Sequence, residues 1–354
     1  MSAAVQELLL RTAARAATGL LRLPDPLLRA VTGAPMAVEG HELGATAQAL
    51  LRAEALVPRR KPDRTPDPAV ARRDYDVVAT ALSAGVGRSV RTRDTTVSGA
   101  AGPLRARCYE PQDAPERGPA LVFFHGGGFV VGSVDSVDGV CRYLAEEAGV
   151  RVISVDYRLA PEHPYPAAAD DAEAAFRHVV DNAADFGTTP DAVAVGGDSA
   201  GATLAAVVAH AGARTGRALP AFSLLLYPAT EAAGTHRSRG LFRRGYFIDQ
   251  EVLDWYRVQY VSDEALYDDP RVSVLRETAL DGLPPTHVVT AAFDPLRDEG
   301  EAYAELLRGA GVPVTHVRHG ELLHGFASFL AVDPHARRAV RRAAHVLRAA
   351  VSAR

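Results

Sequence analysis

From residue 90 onward, short apolar runs alternate with alanine-rich stretches of helical pattern. Continuous apolar runs are typical of strands that are buried on both faces, and helices between them connect parallel neighbours. The first two runs are close enough in sequence to form a hairpin. The predicted strands are 90–99, 103–111, 120–124, 150–157, 192–196, 222–228, 286–293 and 313–320. The alternation therefore predicts an α/β fold with a mostly parallel sheet covered by helices on both faces.

Two parts of the chain do not follow this alternation. Residues 1–23 have an amphipathic helical pattern, and a proline-rich connector follows at 58–68. We expect the helix to pack on the rest of the protein, with contact to a membrane surface as the alternative. Residues 229–280 carry charged and aromatic residues and no clear strand. The predicted segments are 1–68, 69–228, 229–280 and 281–354, of which the second and fourth supply the sheet.

Composition excludes several classes of protein. The net charge of −4 gives no indication of nucleic-acid binding. Lys61 is the only lysine, which argues against pyridoxal enzymes, Ser/Lys hydrolases and P-loop nucleotidases. Two cysteines, Cys108 and Cys141, exclude a disulfide framework and are expected to be small buried residues. Since the sequence has neither a long apolar run nor a secretory pattern, we expect a cytoplasmic protein, with membrane association left open.

A serine motif follows the strand 192–196. Residues 197–201 read Gly-Asp-Ser-Ala-Gly and lead into an alanine-rich helix. A G-x-S-x-G sequence between a strand and a helix is typical of a nucleophile elbow, whose tight turn needs small flanking residues. We therefore predict that Ser199 is a nucleophile at a helix N-terminus. The alternative is a phosphate- or carboxylate-binding helix end.

A nucleophilic serine needs a base and an acid to orient that base. His324 follows the last predicted strand, and Asp294 follows the strand 286–293. The order Ser199, Asp294, His324 is the order of α/β-hydrolases. Asp298 is the rival acid, but it lies one turn into the next helix and is better placed to bond a backbone amide. Asp294 is preferred because functional groups gather at the carboxyl ends of parallel strands.

Glycines after the strand 120–124 predict a site for an oxyanion. His125-Gly126-Gly127-Gly128 is an HGGG sequence, and glycines let backbone N–H groups reach a substrate oxygen. The expected donors are the N–H groups of Gly127, Gly128 and Ala200. His125 and Gly126 are expected to support the loop. A plain flexible turn is the alternative.

Three histidines near the end of the chain do not form a metal-binding pattern. His316 and His319 fall on opposite faces of a strand, which is unsuited to shared ligation with His324. No metal and no cofactor are predicted.

Taken together, these residues resemble the hormone-sensitive lipase family of esterases, within the α/β-hydrolase fold, and most closely its bacterial GDSAG branch. The resemblance covers about 90–350 and implies the Ser199, His324, Asp294 triad and the oxyanion donors named above. It also implies a cap built from the N-terminal helices and residues 229–280, and a supporting role for Asp156 beside the HGGG loop. Two departures are Ala202-Thr203 after the serine motif and Phe129 after the glycines. The motifs that carry the resemblance are HGGGFVVGS (125–133), DYRLAPEHPYPAA (156–168), GGDSAG (196–201) and FDPLRDEG with LLHGF (293–326).

The predicted function is a serine carboxylesterase that cleaves short- to medium-chain esters through an acyl-enzyme. The same groups fit an amidase, deacetylase, lactonase or acyltransferase, and a non-catalytic receptor of the same fold is a further alternative. The partner is a small ester, and a homodimer is left open. Aromatic residues of the cap line the pocket or form the core of the cap; the cap aromatics are Phe242, Tyr246, Phe247 and Trp255, and the expected pocket residues are Phe129, Phe247, Trp255 and Phe326.

Overall fold

The computed structural model describes residues 18–56 and 67–352. An eight-stranded sheet forms the centre, and a two-stranded hairpin lies near the start of the described chain. The hairpin strands are β1 (Ala37–Val38) and β2 (His41–Glu42). The sheet strands are β3 (Arg91–Gly99), β4 (Gly102–Glu110), β5 (Ala120–Phe124), β6 (Arg151–Val155), β7 (Val193–Asp198), β8 (Ser223–Leu226), β9 (Thr286–Phe293) and β10 (Val314–Leu323).

Helices precede the sheet and connect its strands. The helices are α1 (Asp25–Thr32), α2 (Ala45–Leu56), α3 (Pro68–Ser83), α4 (Asp138–Ala148), α5 (Ala167–Asp181), α6 (Ala200–Thr215), α7 (Arg237–Leu241), α8 (Gln250–Tyr260), α9 (Arg297–Gly309) and α10 (Pro334–Ser352). Helix α3 begins at a proline, and the Asp67 side chain accepts a hydrogen bond from the Ala69 N–H at 2.9 Å, which caps the first turn. None of the helices in the described ranges is long and apolar enough to cross a bilayer.

The sheet has the order β10-β9-β8-β7-β5-β6-β4-β3. Strands β5 to β10 pair in parallel, whereas β4 runs antiparallel to both β3 and β6. The predicted fold class, a mostly parallel sheet with helices on both faces, is confirmed, and the predicted hairpin corresponds to β3 and β4. Because β5 and β7 are adjacent, the HGGG loop and the serine motif leave the sheet side by side.

Two apolar layers pack against opposite faces of the sheet. Alternate residues of β5 face the two layers: Leu121 and Phe123 face α4 and α10, whereas Val122 and Phe124 face α5, α6 and α9. This burial on both faces explains why the central strands are continuously apolar in sequence. The apolar core is therefore divided between the two layers.

The predicted N-terminal features lie partly outside the described residues. Of the amphipathic pattern at 1–23, the structure describes only 18–23, where Leu21 is buried and the Arg22 side chain donates to the carbonyl of Ala331 at 3.0 Å. Most of the connector 58–68 is likewise outside the described part. Contact of residues 1–23 with a membrane surface stays a prediction.

Candidate active site

Ser199 lies in a strained turn between β7 and α6. Its φ of +53° is rare for a residue with a side chain and costs about 1–3 kcal/mol. The turn is tight because Gly201 lies against β5: a Cβ there would come within 2.0 Å of the Phe124 carbonyl oxygen. This geometry places the Ser199 hydroxyl at the start of α6, as the sequence motif predicts.

The structure brings Ser199, His324 and Asp294 into one hydrogen-bonded chain. The His324 Nε2 lies 2.9 Å from the Ser199 Oγ, and the His324 Nδ1 lies 2.8 Å from Asp294 Oδ2. His324 follows the last residue of β10, and Asp294 follows the last residue of β9. Asp294 is fully buried, and its Oδ1 accepts a hydrogen bond from the Leu296 N–H at 2.7 Å. The carboxylate is thus fixed in orientation on both oxygens.

Asp298, the rival acid, faces a different part of the molecule. Its Oδ2 accepts a hydrogen bond from the Ser238 N–H at 2.8 Å, and its Oδ1 pairs with Arg297 at 2.7 Å. These contacts connect α9 to the start of α7. They match the expectation that Asp298 bonds a backbone amide.

The HGGG loop lies beside Ser199 at the end of β5. Gly127, Gly128 and Ala200 line the same cavity as Ser199 and His324. Within the described residues, the N–H groups of Gly127 and Gly128 donate to no protein acceptor. Ala200 is the first residue of α6, where a backbone N–H has no partner inside the helix. These donors are therefore free for a ligand oxygen.

Contacts beneath the loop fix its shape. The Tyr157 hydroxyl donates to the His125 carbonyl at 2.8 Å, and the two rings stack at 4.3 Å. The Gly126 N–H donates to Asp198 Oδ1 at 2.8 Å. Asp156, which is expected to support the HGGG loop, contacts the chain a few residues beyond the glycines. Its carboxylate accepts a hydrogen bond from the Val134 N–H at 2.6 Å. The HGGG residues themselves are held by Tyr157 and Asp198.

Sequence reasoning did not find Asp198 as a site residue. The Asp198 carboxyl is buried, and burial raises its pKa to about 6. The hydrogen bond from the Gly126 N–H and the charge of His324 act in the opposite direction and lower the pKa. The x position of G-x-S-x-G accepts many residue types, so the motif gives no signal for it. An acidic residue at the end of a buried strand was the available clue.

A mostly apolar cavity of about 270 Å³ opens onto these groups. One wall comes from α3 and the turn after His324, and includes Val78, Leu82 and Phe329. The opposite wall comes from residues 229–280 and includes Val261 and Val272. The cavity thus lies between two segments that belong to different layers of the core.

Two of the four expected pocket aromatics lie on the cavity wall, namely Phe129 and Phe247. Trp255 and Phe326 do not line it. Phe326 is fully buried beneath the site against Tyr227, at a ring-centroid distance of 4.8 Å. Trp255 packs against the core layer that contains α6, because it lies on another face of α8 from the cavity-lining residues. Of the other cap aromatics, Phe242 is fully buried and packs edge-on against Tyr246 at 4.9 Å.

Tyr256 is a cavity residue that the sequence pattern did not single out. Its ring contacts Gly128 so closely that a Cβ on the glycine would come within 2.2 Å of the Tyr256 Cγ. Burial raises the pKa of Tyr256 to about 12. Residues 229–280, the segment inserted between β8 and β9 (the inserted segment), therefore pack directly on the HGGG loop. The Tyr256 phenol is neutral at ordinary pH.

The chain is similar to several known hydrolases. A family model described as the alpha/beta hydrolase fold matches residues 121–328. The chain is 40% identical over 311 residues to the carboxylic ester hydrolase LipN of Mycobacterium tuberculosis, covering 86% of this chain and 82% of LipN. It is 42% identical over 214 residues to an ethyl acetate hydrolase of Pseudomonas putida, covering 60% of this chain and 67% of that enzyme.

The solved structures include a hyperthermophilic esterase from the archaeon Pyrobaculum calidifontis. It superposes with a TM-score of 0.81 at 38% identity, over 87% of this chain and 98% of the esterase. The similarity therefore extends over nearly all of that chain, and not only over the segment that carries the motifs.

Proposed function

The chain belongs to the hormone-sensitive-lipase-like family of α/β-hydrolases and is a carboxylic ester hydrolase, and we propose that it cleaves short- to medium-chain esters through an acyl-enzyme on Ser199. The single observation that carries the proposal is the continuous chain of contacts from Ser199 Oγ through His324 to Asp294. Ser199 and His324 face an apolar cavity, and free backbone donors lie beside them.

The proposed reaction has two stages. His324 takes the hydroxyl proton while the Ser199 oxygen bonds to the ester carbonyl carbon. Asp294 holds the imidazole in orientation and stabilises its positive charge. The bond to the leaving alkoxide then breaks, and His324 returns the proton to that oxygen. In the second stage water, deprotonated by His324, attacks the acyl-enzyme and releases the acid and Ser199.

The proposed oxyanion donors are the N–H groups of Gly127, Gly128 and Ala200. They face the developing negative charge of the tetrahedral intermediate without a side chain in the way. Loss of one such donor typically costs about 3 kcal/mol of transition-state stabilisation. No metal or cofactor enters this mechanism.

The size of the cavity supports a small substrate. Pockets for drug-sized ligands typically measure about 300–1,000 Å³, and the volume here, about 270 Å³, lies just below that range. We therefore propose a preference for short to medium acyl chains, in line with the Pseudomonas relative's name.

The proposed cap consists of residues 229–280 together with the N-terminal helices. Helix α3 also lines the cavity, although the predicted boundary at residue 69 assigns it to the core. We include α3 in the proposed cap because its residues, and not those of the sheet, form one cavity wall.

The experiment is a chain-length series of p-nitrophenyl esters, run with the wild type, Ser199→Ala and a surface control, Ser89→Ala. Ser89 is exposed and bonds Glu146. We expect Ser199→Ala to lose at least about 10³-fold in kcat and the control to keep wild-type rates. A phosphonate probe should phosphonylate Ser199 in the wild type and in Ser89→Ala, and should leave Ser199→Ala unlabelled.

Full activity in Ser199→Ala would overturn the proposal. Parallel assays with matched amides, lactones and acyl acceptors test the related reactions. Ligand binding without turnover in the wild type would instead indicate a receptor.

A further inference from the structure

Asp198 connects the serine turn to the HGGG loop. It is 4% exposed and immediately precedes Ser199. One carboxylate oxygen, Oδ1, accepts the hydrogen bond from the Gly126 N–H at 2.8 Å, and Oδ2 accepts one from the Tyr227 hydroxyl at 3.3 Å. Gly126 directly precedes the two proposed donors of the loop. A shift of Asp198 would therefore move those donors relative to Ser199.

Tyr227 extends this connection to the histidine. Its hydroxyl accepts a hydrogen bond from the Ala327 N–H at 3.3 Å, and its ring meets the His324 ring edge-on at 4.9 Å. Its φ is +39°, a conformation that a non-glycine residue keeps only where its surroundings impose it. One carboxylate and one phenol thus connect the serine turn, the HGGG loop and the segment that carries His324.

The groups around Asp198 come from every element packed against it. They are His324 after β10, Tyr227 after β8, Tyr157 after β6, Tyr75 on α3 and Cys141 on α4. Burial raises the pKa of the three tyrosines and of the cysteine, so these groups are neutral at ordinary pH. His324 gains a positive charge during the proposed reaction, which an ionised Asp198 stabilises.

We propose that Asp198, acting with Tyr227, is a positioning residue that holds the oxyanion donors and His324 in place around Ser199, and that it must be ionised to do so. An ionised carboxylate accepts both hydrogen bonds. A protonated one carries a hydroxyl on one oxygen, which becomes a donor and a much weaker acceptor. One of the two contacts must then rearrange. This proposal rests on the proposed function of Ser199 and His324.

The structure therefore implies a second protonation on the acid side of the pH profile. Burial raises the pKa of Asp198 to about 6, so the bridge is intact above that pH and is lost below it. His324 must also be unprotonated to act as a base. In the wild type, log(kcat/KM) should fall with a slope steeper than one as the pH decreases, because two groups take up protons.

The experiment compares Asp198→Asn, Tyr227→Phe and the double variant. Misplaced catalytic groups can cost about 10²-fold in rate. For Asp198→Asn we expect kcat to fall about 10- to 100-fold, KM to stay within about threefold, and the acid slope to become one. Tyr227→Phe should lower kcat less. The double variant should be no slower than Asp198→Asn, because the two residues act as one unit.

Asp333→Asn is the matched control. Asp333 is also a buried carboxyl that accepts backbone hydrogen bonds and has a raised pKa, but it caps α10. The Asp333→Asn substitution should lower the thermal stability and leave the acid slope of log(kcat/KM) unchanged. Should Asp198→Asn fail to fold, Tyr227→Phe and the wild-type slope still test the bridge, because the phenyl ring keeps its packing.

Wild-type kcat and an unchanged slope in Asp198→Asn would overturn the proposal, as would a wild-type slope of one. Strictly additive effects in the double variant would also overturn it. Ser199→Ala in the same assay separates the two proposals. If it is inactive while Asp198→Asn is unimpaired, the esterase mechanism stands and the bridge does not.

Discussion

At Gly128 the backbone leaves no room for a side chain. Its φ is +59°, and a Cβ would meet the Tyr256 ring at 2.2 Å. We expect Gly128→Ala to push the HGGG loop away from Ser199, lowering kcat/KM by about 10²-fold or more, as for a lost oxyanion donor. The steady-state measurement uses Gly240→Ala as its control, because a Cβ at Gly240 meets nothing within 4 Å. Equal kcat/KM in the two variants would contradict the proposed role of the loop.

The two acidic residues after β9 differ in what they touch, and this difference predicts different kinetics. Asp294→Asn should reduce kcat by about 10⁴-fold, because an amide cannot hold the imidazole tautomer that accepts the serine proton. Asp298→Asn should leave kcat within about threefold and lower the thermal midpoint, because its contacts are to Ser238 and Arg297. Comparable losses of kcat in both variants would argue against Asp294 as the orienting acid.

At the scale of strands and helices, the sequence pattern is informative where burial is uniform. Strands β5 to β9 are buried on both faces, so their apolar runs are unbroken and their ends fall close to the predicted positions. Strand β10 lies at the edge of the sheet and is half polar, and it runs on to Leu323, beyond its predicted end. Ser199 and Asp294 follow the uniformly buried strands β7 and β9, so their positions at strand ends were accessible from sequence for the same reason.

Contacts between distant elements were not accessible from sequence. Nothing in the pattern of α8 distinguishes Tyr256, which meets Gly128, from Trp255, which packs on the core. Phe326 follows His324 closely in sequence, yet its ring packs below the site against Tyr227. The Asp198 carboxylate accepts a hydrogen bond from Gly126, which lies 72 positions away in sequence. These roles depend on tertiary packing, which periodicity does not encode.

Strand β9 carries a buried histidine that should make stability depend on pH. His287 is 1% exposed and hydrogen-bonds Thr315 of β10 at 2.7 Å. The pKa of a histidine in an unfolded chain is about 6.5, whereas burial lowers the pKa of His287 to about 4. Between these values the unfolded chain binds more protons, so the free energy of unfolding decreases as the pH falls from 6.5 to 4. The contribution is about 2 kcal/mol between pH 7.5 and pH 5.

Urea unfolding of His287→Asn at both pH values measures this contribution. We expect the difference between the two pH values to shrink by about 2 kcal/mol relative to the wild type. It should not vanish, because burial also lowers the pKa of His319 to about 4. His163→Asn, at an exposed position, should leave the difference unchanged. An identical pH dependence in wild type and His287→Asn would show that His287 is not held neutral.

At the scale of the whole molecule, residues 229–280 are joined to the core by buried charges. Glu299 on α9 is fully buried and accepts hydrogen bonds from the Thr230 N–H at 2.9 Å and from Arg239 at 2.9 Å. Arg239 in turn donates to the Glu231 carbonyl at 2.7 Å. Glu231 and Arg239 both line the cavity, on the wall formed by the inserted segment. The network therefore fixes that wall relative to the sheet that carries Ser199.

Removing one partner of a buried ion pair leaves an uncompensated charge, which typically costs about 3–5 kcal/mol. We expect Glu299→Gln to lose that much free energy of unfolding and to become sensitive to protease within 229–280 under native conditions. Adding Arg239→Met should restore part of the loss, because no unpaired charge then remains. Glu305→Gln on the same helix is the control: Glu305 is exposed and pairs with Arg308, and such surface pairs contribute about 0–1 kcal/mol. If Glu299→Gln and Glu305→Gln unfold at the same urea concentration, the Glu299 network does not hold the inserted segment to the core.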